Sequence, residues 1–199
     1  MPILVLFAHP AFHTSRVHRR LVERVGGLAG VRLHDLYQAY PDFDVDVRAE
    51  QQLLLEHDLI VLQHPLYWYS VPPLLKQWFD LVLEHGWAYG TKGVALRGKR
   101  ALTVVSAGGR EDAYGPEGRN RFTVRQLLAP VEQTMRLCGI EYLPPFVVHG
   151  THRLGSEEIG RAADAYARLL VALRDGTLAP GVLEAREHLD PEWAPVAGG

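Results

Sequence analysis

The chain has a single cysteine, Cys138, so no disulfide can form within it, and a reducing, cytoplasmic setting is expected. An excess of charge of one sign is also lacking. The formal net charge is −2, and Arg16, Arg19 and Arg20 are interleaved with Val17 and His18, so nothing here suits a nucleic-acid backbone. No apolar run approaches the roughly 20 residues of a membrane span. The first run, Ile3 to Phe7, lacks a basic segment ahead of it and stops at His9-Pro10, so no secretory signal is expected. The histidines do not show the i, i+4 pairing with carboxylates that marks a zinc site, and no metal is expected. Both common nucleotide fingerprints, Gly-x-Gly-x-x-Gly and Gly-x-x-x-x-Gly-Lys-Ser/Thr, are missing. That excludes the usual dinucleotide and nucleoside-triphosphate sites but leaves room for a single phosphate or a diphosphate.

What is present is an alternation of strand and helix patterns. With 199 residues, 47% of them hydrophobic, the chain is long enough for one domain with a full core. Buried strands are expected over 2–8, 58–63, 100–106 and 144–149, and a less buried edge strand over 31–37, where apolar and polar residues alternate. Helices are expected over about 15–28 with Ser15 as N-cap, 47–57, 72–85, 122–138 and 156–173. Strict alternation of this kind builds an α/β, doubly wound parallel sheet with helices on both faces. The domain is expected to span 1–175; the Gly-, Pro- and Ala-rich segment 176–199 reads as an extension ordered against a partner chain.

Open parallel sheets bind ligands at the carboxyl ends of their strands, around the point where strand order reverses. Three unusual loops fall there. His9 to His18 joins a buried strand to a helix N-terminus, whose free N–H groups and dipole attract anions; Ser15 adds a hydroxyl, and His9 or Arg16 adds positive charge. Pro65-Leu66-Tyr67-Trp68-Tyr69 is far too apolar for an ordinary surface turn and suits a flat ligand, although an aromatic core cluster or a subunit interface has the same composition. Ser106-Ala107-Gly108-Gly109, with Tyr114 beyond, offers unshielded N–H groups and a phenol able to stabilise negative charge on a bound ring, although a plain tight turn reads the same way.

Taken together, His9-Pro10, Pro65-Leu66-Tyr67-Trp68, Gly108-Gly109 with Tyr114, and the run from Trp68 to Trp78 resemble the flavodoxin-like NAD(P)H:quinone oxidoreductases over residues 2–175. The segments Ala113 to Arg121, Leu137-Cys138-Gly139, Pro144-Pro145 and His149-Gly150 are similar to a short bacterial branch, the ancillary proteins of glutathione-regulated potassium-efflux systems. The resemblance implies a five-stranded sheet in the order 2-1-3-4-5 and a homodimer with one flavin per subunit, FMN rather than the FAD of longer animal relatives. It implies that His9 and Ser15, Arg16, Val17 and His18 hold the flavin phosphate and ribityl chain. Pro65, Leu66, Tyr67 and Trp68 would line the ring edge, and Ser106, Ala107, Gly108 and Gly109 its pyrimidine end. Tyr114 would act with Gly108 and Gly109 in catalysis, and Trp68, Tyr69, Tyr114 and Asn120 would form the substrate slot. Animal members carry a histidine where this chain has Asn120. An amide cannot take up a proton, so Tyr114 acts alone, or His149 or solvent substitutes.

The implied activity is a two-electron, ping-pong hydride transfer from NADPH or NADH to a quinone, in which the protein supplies position and electrostatics. A second function class is a regulatory subunit docked on the cytoplasmic domain of a potassium-efflux antiporter. A one-electron carrier is disfavoured by the weak net charge, because such carriers are usually strongly acidic. An azo-dye or metal reductase would use the same slot.

Overall fold

Alternation along each strand decides the two faces of the central sheet. In the computed structural model, which describes residues 1–179, 181–183 and 186–193, strand β1 is Ile3–Phe7, with every residue buried. Leu4 and Leu6 join one core layer while Ile3 and Val5 join the other. The same split holds for β3, Leu59–Pro65, and β4, Arg100–Ser106, whose continuous apolar runs fit strands covered on both faces. The edge strand β2, Val31–Asp35, is only half buried. All pairings are parallel, in the order β2-β1-β3-β4-β5, as the resemblance implies.

Helices α1, Arg16–Val25, and α7, Ser156–Asp175, cover one face. The other is covered by α2, Leu36–Ala39; α3, Val47–Glu56; α4, Pro73–Val82; α5, Val124–Leu127; and α6, Ala129–Leu137. Short polar side chains start several of them. Ser15 Oγ accepts from the His18 N–H at 3.1 Å, and Asp46 accepts from the Ala49 N–H at 3.0 Å. Strand β2 stops at Asp35 rather than at Tyr37, because the Asp35 carboxylate turns to cap α2.

Two expected elements are broken by proline. The helix over 122–138 is two helices meeting at Leu128, since Pro130 has no N–H to give the preceding turn. The fifth strand is two short pieces, β5, Glu141–Tyr142, and β6, Phe146–Val148, both paired with β4. Pro144 and Pro145 between them cannot donate to the ladder. The described part of the segment expected to extend over 176–199 returns to this edge. Leu189 N–H donates to the Pro145 carbonyl and Val147 N–H to the Leu189 carbonyl, both at 2.8 Å, while Leu183, Leu189 and Trp193 are buried in the α1–α7 layer. Residues 194–199 lie outside the described residues. Among the described residues no helix is long and apolar enough to cross a membrane.

A buried carboxylate stands inside the other layer. Glu50 accepts from His34 Nε2 at 2.7 Å, the Tyr40 hydroxyl at 2.6 Å and Trp78 Nε1 at 2.8 Å. Burial pushes its pKa up, but the three donors outweigh this and hold it below the ordinary carboxylate value.

Candidate functional site

The strand order reverses between β1 and β3, and the loops leaving β1, β3, β4 and β6 meet above that point. They enclose an inner cleft of about 600 Å³ and, beside it, an outer cleft of about 480 Å³. Leu66 and Tyr67 belong to both.

The inner cleft opens on the N-terminus of α1. Ser15, Arg16 and Val17 line it, with His9 and Thr14. Arg16 also ties this wall to the loop after β6, donating from Nη2 to the Leu154 carbonyl at 2.8 Å. His9 contributes no charge. It is buried, its Nδ1 accepts from the Ala11 N–H at 3.1 Å, and burial, aided by nearby His13, pushes its pKa down to about 4. Positive charge from His9, one option in the sequence, is therefore replaced by a neutral ring packed edge-on against Tyr67 and His18. His18 does not line the cleft. It is fully buried, and its ring points to Ser106, Nε2 to Oγ at 2.9 Å. The helix stripe His18, Leu21, Val25 already carries this signal, because its spacing puts the histidine on the buried face.

The aromatic loop is held by its backbone. Strand β3 runs through His64 and Pro65, two residues beyond the expected end, and Pro65 pairs with Ser106. Leu66 N–H donates to the Ser106 carbonyl at 2.9 Å; His64 Nδ1 and the Tyr67 N–H both donate to the Pro65 carbonyl, at 2.9 and 3.1 Å. Tyr67 and Ser70 then close a tight turn, with Ser70 N–H on the Tyr67 carbonyl at 3.1 Å. Its central residues, Trp68 and Tyr69, have φ of 49° and 63°, the left-handed conformation that this kind of turn reserves for glycine or asparagine. Placing two bulky aromatics there costs roughly 1–2 kcal/mol each. The strain displays the rings: Trp68 is 93% exposed, and Tyr67, Trp68, Tyr69, Leu66 and Tyr114 line the outer cleft.

The two glycines after β4 have different neighbours. A Cβ on Gly108 would lie 2.7 Å from His152 Nε2; one on Gly109 would lie 3.0 Å from Tyr114 Cε2. Gly108 lines the inner cleft beside Ser106. Gly109 lies under Tyr114, whose pKa is raised by burial although the Gly109 backbone pulls it the other way. Ala107 is buried and pairs with the strand end, its N–H on the Val148 carbonyl at 2.9 Å. Behind Tyr114 stands His149, with ring centroids 5.4 Å apart. Burial and the nearby His188 push the His149 pKa down to about 4, and among the described residues neither of its ring nitrogens meets the geometry of a hydrogen bond. Asn120, expected in the substrate slot, is not among the residues lining either cleft; its Oδ1 accepts from the Tyr69 hydroxyl at 3.2 Å.

Of the expected residues, the structure brings His9, Ser15, Arg16, Val17, Pro65, Leu66, Tyr67, Ser106 and Gly108 together around one cleft, and Trp68, Tyr69 and Tyr114 around the adjoining one. Thr151 and His152, from the loop after β6, complete the inner wall, although no local sequence motif marks them. The sheet order was the available signal, since this loop also leaves a carboxyl end. Among the described residues no group of three or more His, Cys, Asp or Glu side chains could hold a metal ion. The chemistry of the walls is that of hydrogen-bond donors and one cation, Arg16, around the inner cleft and flat apolar rings around the outer one. Such walls suit a ligand with a phosphate-bearing chain and a planar ring.

Comparison with known proteins agrees with this architecture. The chain is 45% identical over 169 residues to the glutathione-regulated potassium-efflux system ancillary protein KefF of Klebsiella aerogenes, covering 85% of this chain and 94% of that protein. A crystal structure of general stress protein 14 from Treponema denticola, in complex with FMN, is 40% identical with a TM-score of 0.83, covering 87% of this chain and 99% of that one. An NADPH-quinone reductase structure from P. pentosaceus is 34% identical with a TM-score of 0.77, covering 85% and 97%. A family model described as the flavodoxin-like fold matches residues 1–170, and the chain belongs to that family.

Proposed function

We propose that the two joined clefts bind FMN and a flat second substrate, and that the protein is a flavin-dependent NAD(P)H:quinone oxidoreductase. The observation that carries this reading is the join itself. A donor-lined space at a helix N-terminus and an aromatic-lined space share Leu66 and Tyr67 as a common wall. The similarity to the FMN-bound Treponema protein and to the quinone reductase supports it.

FMN, when bound, supplies two-electron chemistry that accepts hydride from NADPH or NADH and passes it to a quinone, in turn. The chain's residues provide the rest. The first-turn N–H groups of α1, with Ser15 and Arg16, hold the phosphate; Val17 and His9 wall the chain that follows. Pro65, Leu66 and Tyr67 seat the ring edge. The Gly108 N–H and the Tyr114 hydroxyl, with Gly109 beneath, would supply donors to the part of the ring where negative charge develops. Preorganised donors at such a point are worth about 2.7–4 kcal/mol each in other enzymes. The Trp68 and Tyr69 rings admit either planar partner. Asn120 has no part in proton movement in this scheme; it holds Tyr69. The exposed rings of Trp68 and of Phe122, the latter 56% exposed, support a homodimer in which a second copy covers the slot.

The direct test is reduction of a soluble quinone by NADPH or NADH with FMN-loaded protein. FMN-dependent turnover is expected; its absence with every quinone tried contradicts the reading. The 45% identity to KefF favours a second role, a cytoplasmic ancillary subunit that binds and activates a potassium-efflux antiporter. Pull-down by the antiporter's cytoplasmic domain, with the flavin cleft intact or emptied, separates the two roles.

A further inference from the structure

A buried polar chain runs under the inner cleft, from α7 through β3 and α1 to the end of β4. The Tyr166 hydroxyl donates to Gln63 Oε1 at 3.0 Å; Gln63 Nε2 meets His18 Nδ1 at 3.4 Å; His18 Nε2 meets Ser106 Oγ at 2.9 Å. Tyr166, Gln63 and His18 are completely buried, and around them the α1–α7 layer is aliphatic and aromatic. Leu or Phe at these places would satisfy the core without any hydrogen bonds to arrange, so the chain is not what packing alone requires.

Its direction follows from the Gln63 amide, whose Oε1 faces Tyr166 and whose Nε2 faces His18. With the phenol donating to Oε1, the Gln63 amide presents its nitrogen to His18. An amide nitrogen has hydrogens and no lone pair to offer, so His18 Nδ1 is the bare nitrogen. The single ring hydrogen of neutral imidazole then sits on Nε2 and is given to Ser106 Oγ. With that oxygen accepting, the serine hydrogen is free to turn outward, and Ser106 lines the inner cleft.

We infer that Tyr166, Gln63 and His18 act as positioning residues that fix the Ser106 hydroxyl as a hydrogen-bond donor into the cleft, so that the ligand atom it meets is an acceptor. Resting on the FMN reading, that atom is an oxygen or a ring nitrogen of the cofactor. The arrangement adds a donor without adding a charge. Burial, with His9 and His64 nearby, holds the His18 pKa well below its ordinary value, which keeps the ring neutral.

The test is the tautomer of His18, read from two-bond proton–nitrogen spectra of the full ¹⁵N-labelled chain and assigned by the signal lost in His18→Gln. A neutral Nε2–H ring from about pH 5 to 8 is expected, with and without FMN. An Nδ1–H ring, or protonation within that range, overturns the inference. FMN titration supplies the functional arm. Ser106→Ala, which leaves the buried chain in place, is expected to raise the FMN Kd roughly tenfold or more, as loss of a donor to a charged or strongly polar acceptor does. Tyr166→Phe frees the Gln63 amide to turn; a mixed tautomer and a Kd raised about threefold to tenfold are expected. An unchanged Kd in Ser106→Ala overturns the inference even if Tyr166→Phe fails to fold. Wild-type protein that binds no FMN contradicts the FMN reading, and the ring spectrum of the free protein then still decides the tautomer.

Discussion

The Tyr69 hydroxyl donates to Asn120 Oδ1 at 3.2 Å, joining the loop after β3, which lines the outer cleft, to the loop after β4. Tyr69 sits in a left-handed turn with φ of 63°, so its ring is already aimed, and the bond fixes its tip. Asn120 is in this way a clasp rather than a proton carrier. Tyr69→Phe is expected to raise KM for a quinone about twofold to tenfold with kcat nearly unchanged, the effect of one exposed hydrogen bond. Steady-state kinetics at saturating NADPH check this. A fall in kcat with KM constant would put Tyr69 in the chemical step instead.

Gly109 is expected to matter more than Gly108. An alanine Cβ at 109 meets the Tyr114 ring at 3.0 to 3.4 Å, and that ring is backed by His149. At 108 the obstacle is the His152 ring, on a surface loop able to move aside. Gly109→Ala should therefore displace Tyr114 and lower kcat/KM about tenfold or more, while Gly108→Ala costs less. The two values of kcat/KM, measured beside thermal melts, decide the ranking.

Trp68 trades stability for display. Its φ of 49° is relieved in Trp68→Gly, which should raise the unfolding free energy by about 0.5–1 kcal/mol. The same change removes a ring that is 93% exposed, and KM for a flat acceptor should rise. Denaturant titration and kinetics on one preparation test both halves; a destabilised variant would show that the ring packs on something.

Much of the architecture follows from patterns short enough to read along the chain. Ser15 caps α1, the run Leu59 to Leu62 is buried on both faces, and Arg100 to Ser106 forms β4 over the residues expected. What escaped depends on contacts distant in sequence. Glu50 occupies the stripe of Leu53 and Leu54, yet its three donors come from β2, the turn after α2, and α4. His18 sits among apolar neighbours of its helix and finds Ser106 only once α1 lies on β4. Pro130 and Pro144-Pro145 were visible, but whether a proline ends an element or interrupts it depends on the partner awaiting its missing N–H.

The buried histidines set an acid limit on stability. His9, His64 and His149 have pKa values lowered from the ordinary 6.5 to about 4 by burial. For a lowered imidazole the unfolded chain binds the proton first, so stability is full above about pH 6.5 and is lost as pH falls from there towards 4. Each ring contributes on the order of 1–3 kcal/mol to that loss. Glu50 has the depressed pKa of a paired carboxylate, so its contribution is present above the ordinary value of 4.5 and fades only below it. Melting temperature should therefore begin to drop near pH 6, ahead of the carboxylate range. A flat profile down to pH 5 would mean that these rings are hydrated. Glu50→Leu, which leaves the buried Trp78 indole N–H without its acceptor and turns the half-buried His34 and Tyr40 donors to water, should cost about 1–3 kcal/mol at pH 7 without changing FMN affinity.

The most direct measurement is the visible spectrum of protein incubated with FMN and then desalted. Flavin bands near ~450 nm are expected to stay with the protein, to bleach on adding NADPH or NADH without air, and to return on adding a quinone. A colourless protein after desalting, or bound flavin that neither NADPH nor NADH reduces, would contradict the assignment of the two joined clefts to flavin-dependent quinone reduction.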